Sequence, residues 1–104
     1  MSLLDQKELN IRSVAKGKLT WFYIEKPTSK EVEFLAQRFH FHPLDLDDVI
    51  SRIQRPKIDV YKDYLFMVLH FPIFDKENRI TRPSETDIFI GENYVVTVDC
   101  SGDL

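Results

Sequence analysis

The segment from His40 to Lys57 concentrates carboxylates, because Asp45, Asp47 and Asp48 lie within four residues of one another. Such a cluster can bind a cation, or it can stabilise the start of a helix, where unpaired amides and the positive end of the helix dipole favour negative charge. Pro43 favours a helix start, since its fixed backbone angle suits the first helical position. Asp45 therefore falls in the first turn of a predicted helix and has a sufficient structural explanation.

Asp47 and Asp48 can have a structural role on the helix surface or can bind a cation. The second helix is predicted to run from Pro43 to Arg52, with Asp48 four residues before Arg52, a spacing that allows a surface ion pair. The predicted buried stripe of this helix consists of three apolar residues, Leu44, Val49 and Ile53. This phase turns Asp47 and Asp48 toward solvent or toward a partner.

A cation at this pair needs ligands from another surface. Side chains of adjacent helical residues point about 100° apart, so Asp47 and Asp48 cannot close together on one bare ion. Mg²⁺ suits the arrangement because it keeps several waters and typically takes one or two carboxylates. The pair therefore predicts a weak, partly hydrated and shared Mg²⁺ site.

Zinc binding and catalysis have weaker support. Four residues could offer zinc ligands: His40, His42, His70 and Cys100. Only the first two are close in sequence, and no second closely spaced pair completes a tetrahedral set. His42 is expected to stabilise the start of the second helix instead. No phosphate-binding glycine loop, nucleophile elbow or paired Cys and His signature occurs, so an enzyme is not predicted.

Length and composition bound the remaining possibilities. The 104 residues are 43% hydrophobic, which predicts one domain spanning residues 1–104. A formal net charge of -3 lacks the basic excess that nucleic-acid binding demands. The lone Cys100 excludes an internal disulfide and fits a reducing compartment. The longest apolar run, from Tyr64 to Phe74, is too short to cross a bilayer as a helix.

The periodicity of the chain predicts an α/β domain with a mixed, mainly antiparallel sheet and both helices packed on one face. Two strands are expected on either side of Gly17, the second from Leu19 to Glu25. The first helix is expected from Thr28 to Phe39, with Thr28 as N-cap and Glu31 as its capping-box partner.

Strands dominate the rest of the chain. Residues 57–75 predict two strands joined near Lys62 and Asp63, and Pro72 should lie at an edge or a bulge because proline cannot donate to a ladder. Residues 85–91 and 94–99 predict a hairpin across Glu92 and Asn93. Seven aromatic residues are expected in the core: Trp21, Phe22, Phe34, Phe39, Tyr64, Phe66 and Phe89.

Several motifs occur together in a fixed order. They are Phe39, His42-Pro43-Leu44, Asp47-Asp48, Gln54-Arg55-Pro56-Lys57 and Tyr64-Leu65-Phe66, followed by the hairpin sequence SETDIFIGENYVVTVD. From about Thr28 to Asp99 the chain resembles the N-terminal cytoplasmic domain of CorA-family divalent-cation transporters.

The resemblance implies a homo-pentameric channel of the inner membrane for Mg²⁺, with Co²⁺ and Ni²⁺ often accepted. It also implies that Mg²⁺ bound between subunits favours the closed pore, with Asp47 and Asp48 facing carboxylates on a neighbouring stalk helix. The family often has Glu where this chain has the shorter Asp47. This sequence does not contain the stalk, the membrane helices or the Gly-Met-Asn pore signature of the family. We therefore expect a fragment that lies on the cytoplasmic side and is connected to the membrane only through the missing part.

Two alternatives share the scaffold. One is a zinc transporter of the same family, and the other is a stand-alone interaction module without a pore. A reading frame that continues beyond Leu104 with two apolar segments of about 20 residues favours transport. A natural end at this residue favours the module.

Overall fold

The computed structural model describes residues 9–50 and 54–100. The elements are β1 (Ile11–Lys16), β2 (Leu19–Glu25), α1 (Ser29–Arg38), α2 (Pro43–Ile50), β3 (Lys57–Val60), β4 (Tyr64–Asp75), β5 (Ile80–Gly91) and β6 (Tyr94–Asp99). The six strands form one sheet in the order β1-β2-β6-β5-β4-β3. The predicted α/β class with a mixed, mainly antiparallel sheet is confirmed.

Local sequence signals set the first half of the fold. Gly17 connects β1 to β2 with a φ of 62°, a left-handed conformation that glycine adopts at little cost. Thr28 caps α1, and its backbone N–H and hydroxyl both donate to Glu31 Oε1, at 2.6 and 2.5 Å. The second oxygen of Glu31 accepts the Asn10 N–H at 3.3 Å, so this buried carboxylate ties the helix start to the chain before β1.

The strands β3 to β6 form the predicted antiparallel meander. β4 and β5 pair without a bulge from Tyr64 opposite Gly91 to Asp75 opposite Ile80, and Pro72 faces Pro83 across the ladder. β3 covers only residues 65–68 on the other side of β4. In the described part of the chain, residues 69–75 thus lie at the sheet edge, as Pro72 predicts, and β5 begins five residues earlier than expected.

One strand pairing joins the two halves of the chain. β2 runs parallel to β6, with Phe22 opposite Val96 and Ile24 opposite Val98. This pairing makes the sheet mixed and places the opening hairpin beside the closing one. No local sequence pattern predicts the β2–β6 pairing, because the two strands are far apart in sequence.

Both helices cover the same side of the sheet, which we call the helix face. Phe34 and Phe39 contact the ring of Phe22 at centroid distances of 6.1 and 5.6 Å. Between the helices, Phe41 stacks on Phe89 at 4.1 Å. The fully buried side chains of this core include Ile24, Leu35, Phe66, Val68, Phe89, Val96 and Val98.

Two predicted core positions are wrong. Trp21 lies on the opposite side of the sheet, 45% exposed, and its indole N–H donates to Thr97 Oγ1 at 2.8 Å. Leu44 is 65% exposed, because α2 turns Asp45, Leu46 and Val49 inward instead. The predicted core residue Ile53 and the helix end at Arg52 lie outside the described residues.

The longest helix in the described ranges has ten residues, and none there has the length and apolar character needed to span a bilayer.

We predict that Glu31→Ala lowers the free energy of unfolding by about 1.5–3 kcal/mol, because two backbone N–H groups lose a charged acceptor. Urea denaturation measures this loss. Glu33→Ala is the matched control, since Glu33 is exposed on the same helix, and surface changes typically stay within about 0.5 kcal/mol. Equal effects of the two substitutions would contradict the role of Glu31.

The Glu31 contribution also has a defined pH dependence. Burial alone would raise the pKa of Glu31, but the bonds from Thr28 and Asn10 outweigh burial and lower the pKa. A lowered folded-state pKa gives stability that is present above the unfolded pKa and lost as pH falls through the folded pKa. The stability difference between the wild type and Glu31→Ala should therefore shrink below about pH 4.

Candidate functional site

The second helix is anchored to the sheet by a buried carboxylate. Asp45 is 1% exposed, and its two oxygens accept hydrogen bonds from the hydroxyls of Tyr61 at 3.0 Å and Tyr64 at 2.8 Å. Its place in the first helical turn is confirmed. Asp45 thus also anchors α2 to the sheet, which the helix dipole alone did not indicate. A buried carboxylate requires hydrogen-bond donors, and the two tyrosines provide them.

The Tyr64 hydroxyl also holds the start of the helix. It accepts the backbone N–H of His42 at 2.7 Å while donating to Asp45. His42 Nδ1 in turn accepts the Leu44 N–H at 3.1 Å, which satisfies an amide of the first turn. The expectation that His42 stabilises the start of α2 is confirmed.

The two tyrosines remain donors across the physiological pH range. Burial, together with the hydrogen bond to Asp45, raises the pKa of Tyr61 to about 12. Burial and the same carboxylate also raise the pKa of Tyr64. Both hydroxyls therefore keep their protons at neutral pH and remain able to donate to Asp45.

The orientation of α2 exposes Asp47 and leaves Asp48 only partly exposed. Asp47 is exposed, and the Asp48 side chain is 20% exposed at the border of the core. Asp48 Oδ2 forms an ion pair with Lys57 Nζ at 2.9 Å. The predicted partner Arg52 lies outside the described residues, and Lys57, from the Gln-Arg-Pro-Lys motif, is the partner that the structure shows.

Lys57 has a second acidic neighbour. Its Nζ lies 3.2 Å from Asp59 Oδ2 and 5.6 Å from the centroid of the Phe66 ring. The hydrogen bond to Asp48 is the main reason that the pKa of Lys57 is raised, and Asp59 adds to it. One lysine thus faces two carboxylates, so this local group keeps an excess of negative charge that suits a hydrated divalent cation better than an anion.

The histidines do not form a metal site with this pair. His42 Nδ1 is engaged in the helix cap, and His70 Nε2 contacts the Gln54 carbonyl oxygen at 2.6 Å, on a different part of the sheet. His40 is exposed before α2. Within residues 9–50 and 54–100, no group of three potential metal ligands includes any of the three histidines.

One cluster was missed by sequence reasoning. Glu85, Asp87 and Cys100 bring an oxygen or sulfur atom each within 4.8 Å of one another. The signal was present, because strand alternation places Glu85 and Asp87 on the same side of β5 as the core residue Phe89. Two carboxylates that share a face with the core are unusual enough to mark a site.

The comparisons with known proteins agree on one class. A family model described as "CorA-like Mg2+ transporter protein" matches residues 16–101. YfjQ of Bacillus subtilis (strain 168), named as a candidate metal ion transporter, is 39% identical over 93 residues, which are 88% of this chain and 28% of that protein. The cobalt/magnesium transport protein CorA of Thermotoga maritima is 29% identical over 65 residues, covering 62% of this chain and 18% of that one.

Solved structures share the fold. The soluble domain of CorA from Methanocaldococcus jannaschii aligns with a TM-score of 0.63 at 18% identity, over 78% of this chain and 31% of that one. The ZntB cytoplasmic domain from Vibrio parahaemolyticus aligns with a TM-score of 0.64 at 12% identity, over 83% and 35%. At these identities the likeness shows the fold alone.

The fold is therefore that of the CorA soluble domain and the ZntB cytoplasmic domain. The sequence match to the family model establishes family membership, because it covers both helices and all strands after β1. The chain belongs to the CorA-like Mg²⁺ transporter family. It spans under two fifths of the length of each relative and solved chain named above.

We predict that Tyr64→Phe lowers the free energy of unfolding by about 1–3 kcal/mol, because Asp45 loses a donor and the His42 N–H loses its acceptor. Tyr61→Phe is the matched control, since the Tyr61 hydroxyl makes only the bond to Asp45 among the bonds given above. Chemical denaturation of both variants shows whether Tyr64→Phe loses more unfolding free energy than Tyr61→Phe. A loss in Tyr61→Phe as large as that in Tyr64→Phe would contradict the assignment.

Proposed function

We propose that this domain is the regulatory, ion-sensing part of a CorA-family Mg²⁺ transporter, located on the cytoplasmic side of the membrane. In this proposal, Mg²⁺ binds between subunits at Asp47 and Asp48 and favours the closed pore. The observation that supports it best is the exposure of Asp47, with Asp48 partly exposed beside it, on a helix that Asp45 and Tyr64 anchor to the sheet. Family membership supports transport of a divalent cation as the wider function.

The electrostatics of an interface explain how such a sensor works. Two carboxylates about 4 Å apart repel by about 4 kcal/mol at an effective dielectric constant of about 20, and a bridging divalent ion reverses the sign. When Asp47 and Asp48 face carboxylates of a neighbouring subunit, the empty interface pushes the subunits apart. The filled interface holds them together.

Weak sites are sufficient when several act together. A site at an ion concentration of about ten times its Kd gains about 1.4 kcal/mol, so about five equivalent sites bias a shared closed state by about 7 kcal/mol. A homo-pentamer of this kind responds to Mg²⁺ near cellular concentrations. Co²⁺ can occupy the same oxygen ligands.

Lys57 adjusts the affinity of this sensor. Its ion pair with Asp48 competes with the metal, since both are cations bound by the same carboxylate. The lysine also keeps the unfilled site from carrying its full negative charge, which allows Asp48 to lie at the border of the core.

We predict that Asp47→Ala combined with Asp48→Ala, in the full-length transporter, weakens the inhibition of transport by internal Mg²⁺ and leaves folding nearly unchanged. Ion flux into cells or vesicles, measured against internal Mg²⁺, checks this. Glu33→Ala is the control, because Glu33 is an exposed carboxylate on α1 and takes no part in the Lys57 contacts given above. Unchanged Mg²⁺ inhibition in the double variant would remove these residues from the sensor.

Lys57→Met should have the opposite effect. Removing the competing ammonium from Asp48 is expected to lower the Mg²⁺ concentration for half-maximal inhibition about two- to five-fold, the range that corresponds to a surface ion pair of up to about 1 kcal/mol. The same flux assay measures the shift. A higher concentration requirement in Lys57→Met would show that the lysine supports metal binding rather than opposing it.

A further inference from the structure

A second group of potential ligands lies beneath the C-terminal end of α2, on the helix face. Asp87 is 0% and Glu85 5% exposed, and Cys100 follows β6 at the border of the core. The Cys100 Sγ lies 3.5 Å from Glu85 Oε2, 3.5 Å from Asp87 Oδ2 and 3.9 Å from the Val49 carbonyl oxygen of α2. We call Glu85, Asp87 and Cys100 the buried acidic cluster.

This cluster has more hydrogen-bond acceptors than donors. The Gln54 N–H donates to Glu85 Oε1 at 2.6 Å, and the single thiol proton can serve only one of the oxygens around it. Asp87 Oδ1 is fully buried and has no partner in the described part of the chain. An unsatisfied buried carboxylate oxygen costs stability unless a proton or a cation supplies the missing positive charge.

The three side chains are close enough for one ion to contact all of them. With Zn²⁺ bonds of about 2.3 Å to sulfur and about 2.0–2.2 Å to oxygen, tetrahedral geometry places a ligand sulfur and oxygen about 3.5 Å apart. Both sulfur-to-oxygen distances of the buried acidic cluster have this value.

We infer that Glu85, Asp87 and Cys100 bind a divalent transition-metal ion of the Zn²⁺ or Co²⁺ class, at a site separate from Asp47 and Asp48. Thiolate and carboxylate ligands together select such borderline ions, whereas Mg²⁺ takes oxygen ligands and waters. A water completes the coordination. His70 Nε2, which lies 3.9 Å from Glu85 Oε1 and is bonded to Gln54, borders the site without being a ligand.

The surroundings of Asp87 and Cys100 favour the protonated forms of these two residues. Burial, and then the neighbouring Glu85, raise the pKa of Asp87, while burial and the two carboxylates raise the pKa of the Cys100 thiol. A bound ion must displace these protons, so metal affinity should increase as pH rises. A carboxyl pair that merely shares a proton is the alternative, and the two differ in their response to added metal.

The test is a Co²⁺ titration of the reduced 104-residue chain above neutral pH, followed by the charge-transfer absorption that a Co²⁺–thiolate bond produces. We expect a band that saturates at one ion per chain, disappears in Cys100→Ser and requires at least about ten-fold more Co²⁺ in Asp87→Asn. Glu33→Gln is the control and should bind as the wild type does, because Glu33 is exposed on α1 and belongs to neither proposed site. Circular dichroism confirms that each variant is folded.

The wild type decides the outcome even if a variant fails to fold. A folded wild-type chain that shows no thiolate band in millimolar Co²⁺, and whose thiol Zn²⁺ does not protect from alkylation, would overturn the inference in favour of the shared proton. Equal affinity in Asp87→Asn would also overturn it. Neither result bears on Mg²⁺ sensing, because the ligands tested here, Asp87 and Cys100, are not part of the Asp47 and Asp48 pair.

Discussion

The burial of Asp45 is the constraint on which the rest of the site depends. A carboxylate inside a protein requires donors, and Tyr61 and Tyr64 provide them from the chain that enters β4. Because Asp45 must face these hydroxyls, the rotation of α2 about its axis is fixed. Leu46 and Val49 are then buried, Leu44 is exposed, and Asp47 faces outward.

The same constraint explains why the sequence motifs occur together. His42 and Asp45 meet at the Tyr64 hydroxyl, and Asp48 meets Lys57, whose ammonium lies over Phe66. The motifs are therefore parts of one contact network between α2 and the strands β3 and β4. Under the proposed function, side chains mounted on this network would move with the sheet as one unit.

Local signals made much of the fold predictable. The Thr28 and Glu31 capping box and the helix start at Pro43 each depend on residues a few positions apart, and such patterns can be recognised in a sequence. The side of α2 that faces the core could not be predicted in this way. Periodicity assigns Leu44 to the core and does not indicate that Tyr61 and Tyr64 would bind Asp45 there. The β2–β6 pairing and the approach of Cys100 to Glu85 and Asp87 depend on long-range contacts that no local pattern specifies. The assignment of Asp47 and Asp48 to a metal site stays a prediction.

The coupling between Asp45 and Tyr64 is the most direct measure of this anchor. A double-mutant cycle of Asp45→Ala, Tyr64→Phe and the combined variant, followed by urea denaturation, isolates the pairwise free energy. We predict a coupling of about 1–3 kcal/mol, as expected for a buried hydrogen bond to a charged group. Additive losses, with a coupling below about 0.5 kcal/mol, would show that Asp45 does not fix α2 through Tyr64 and would contradict the proposed origin of the exposure of Asp47.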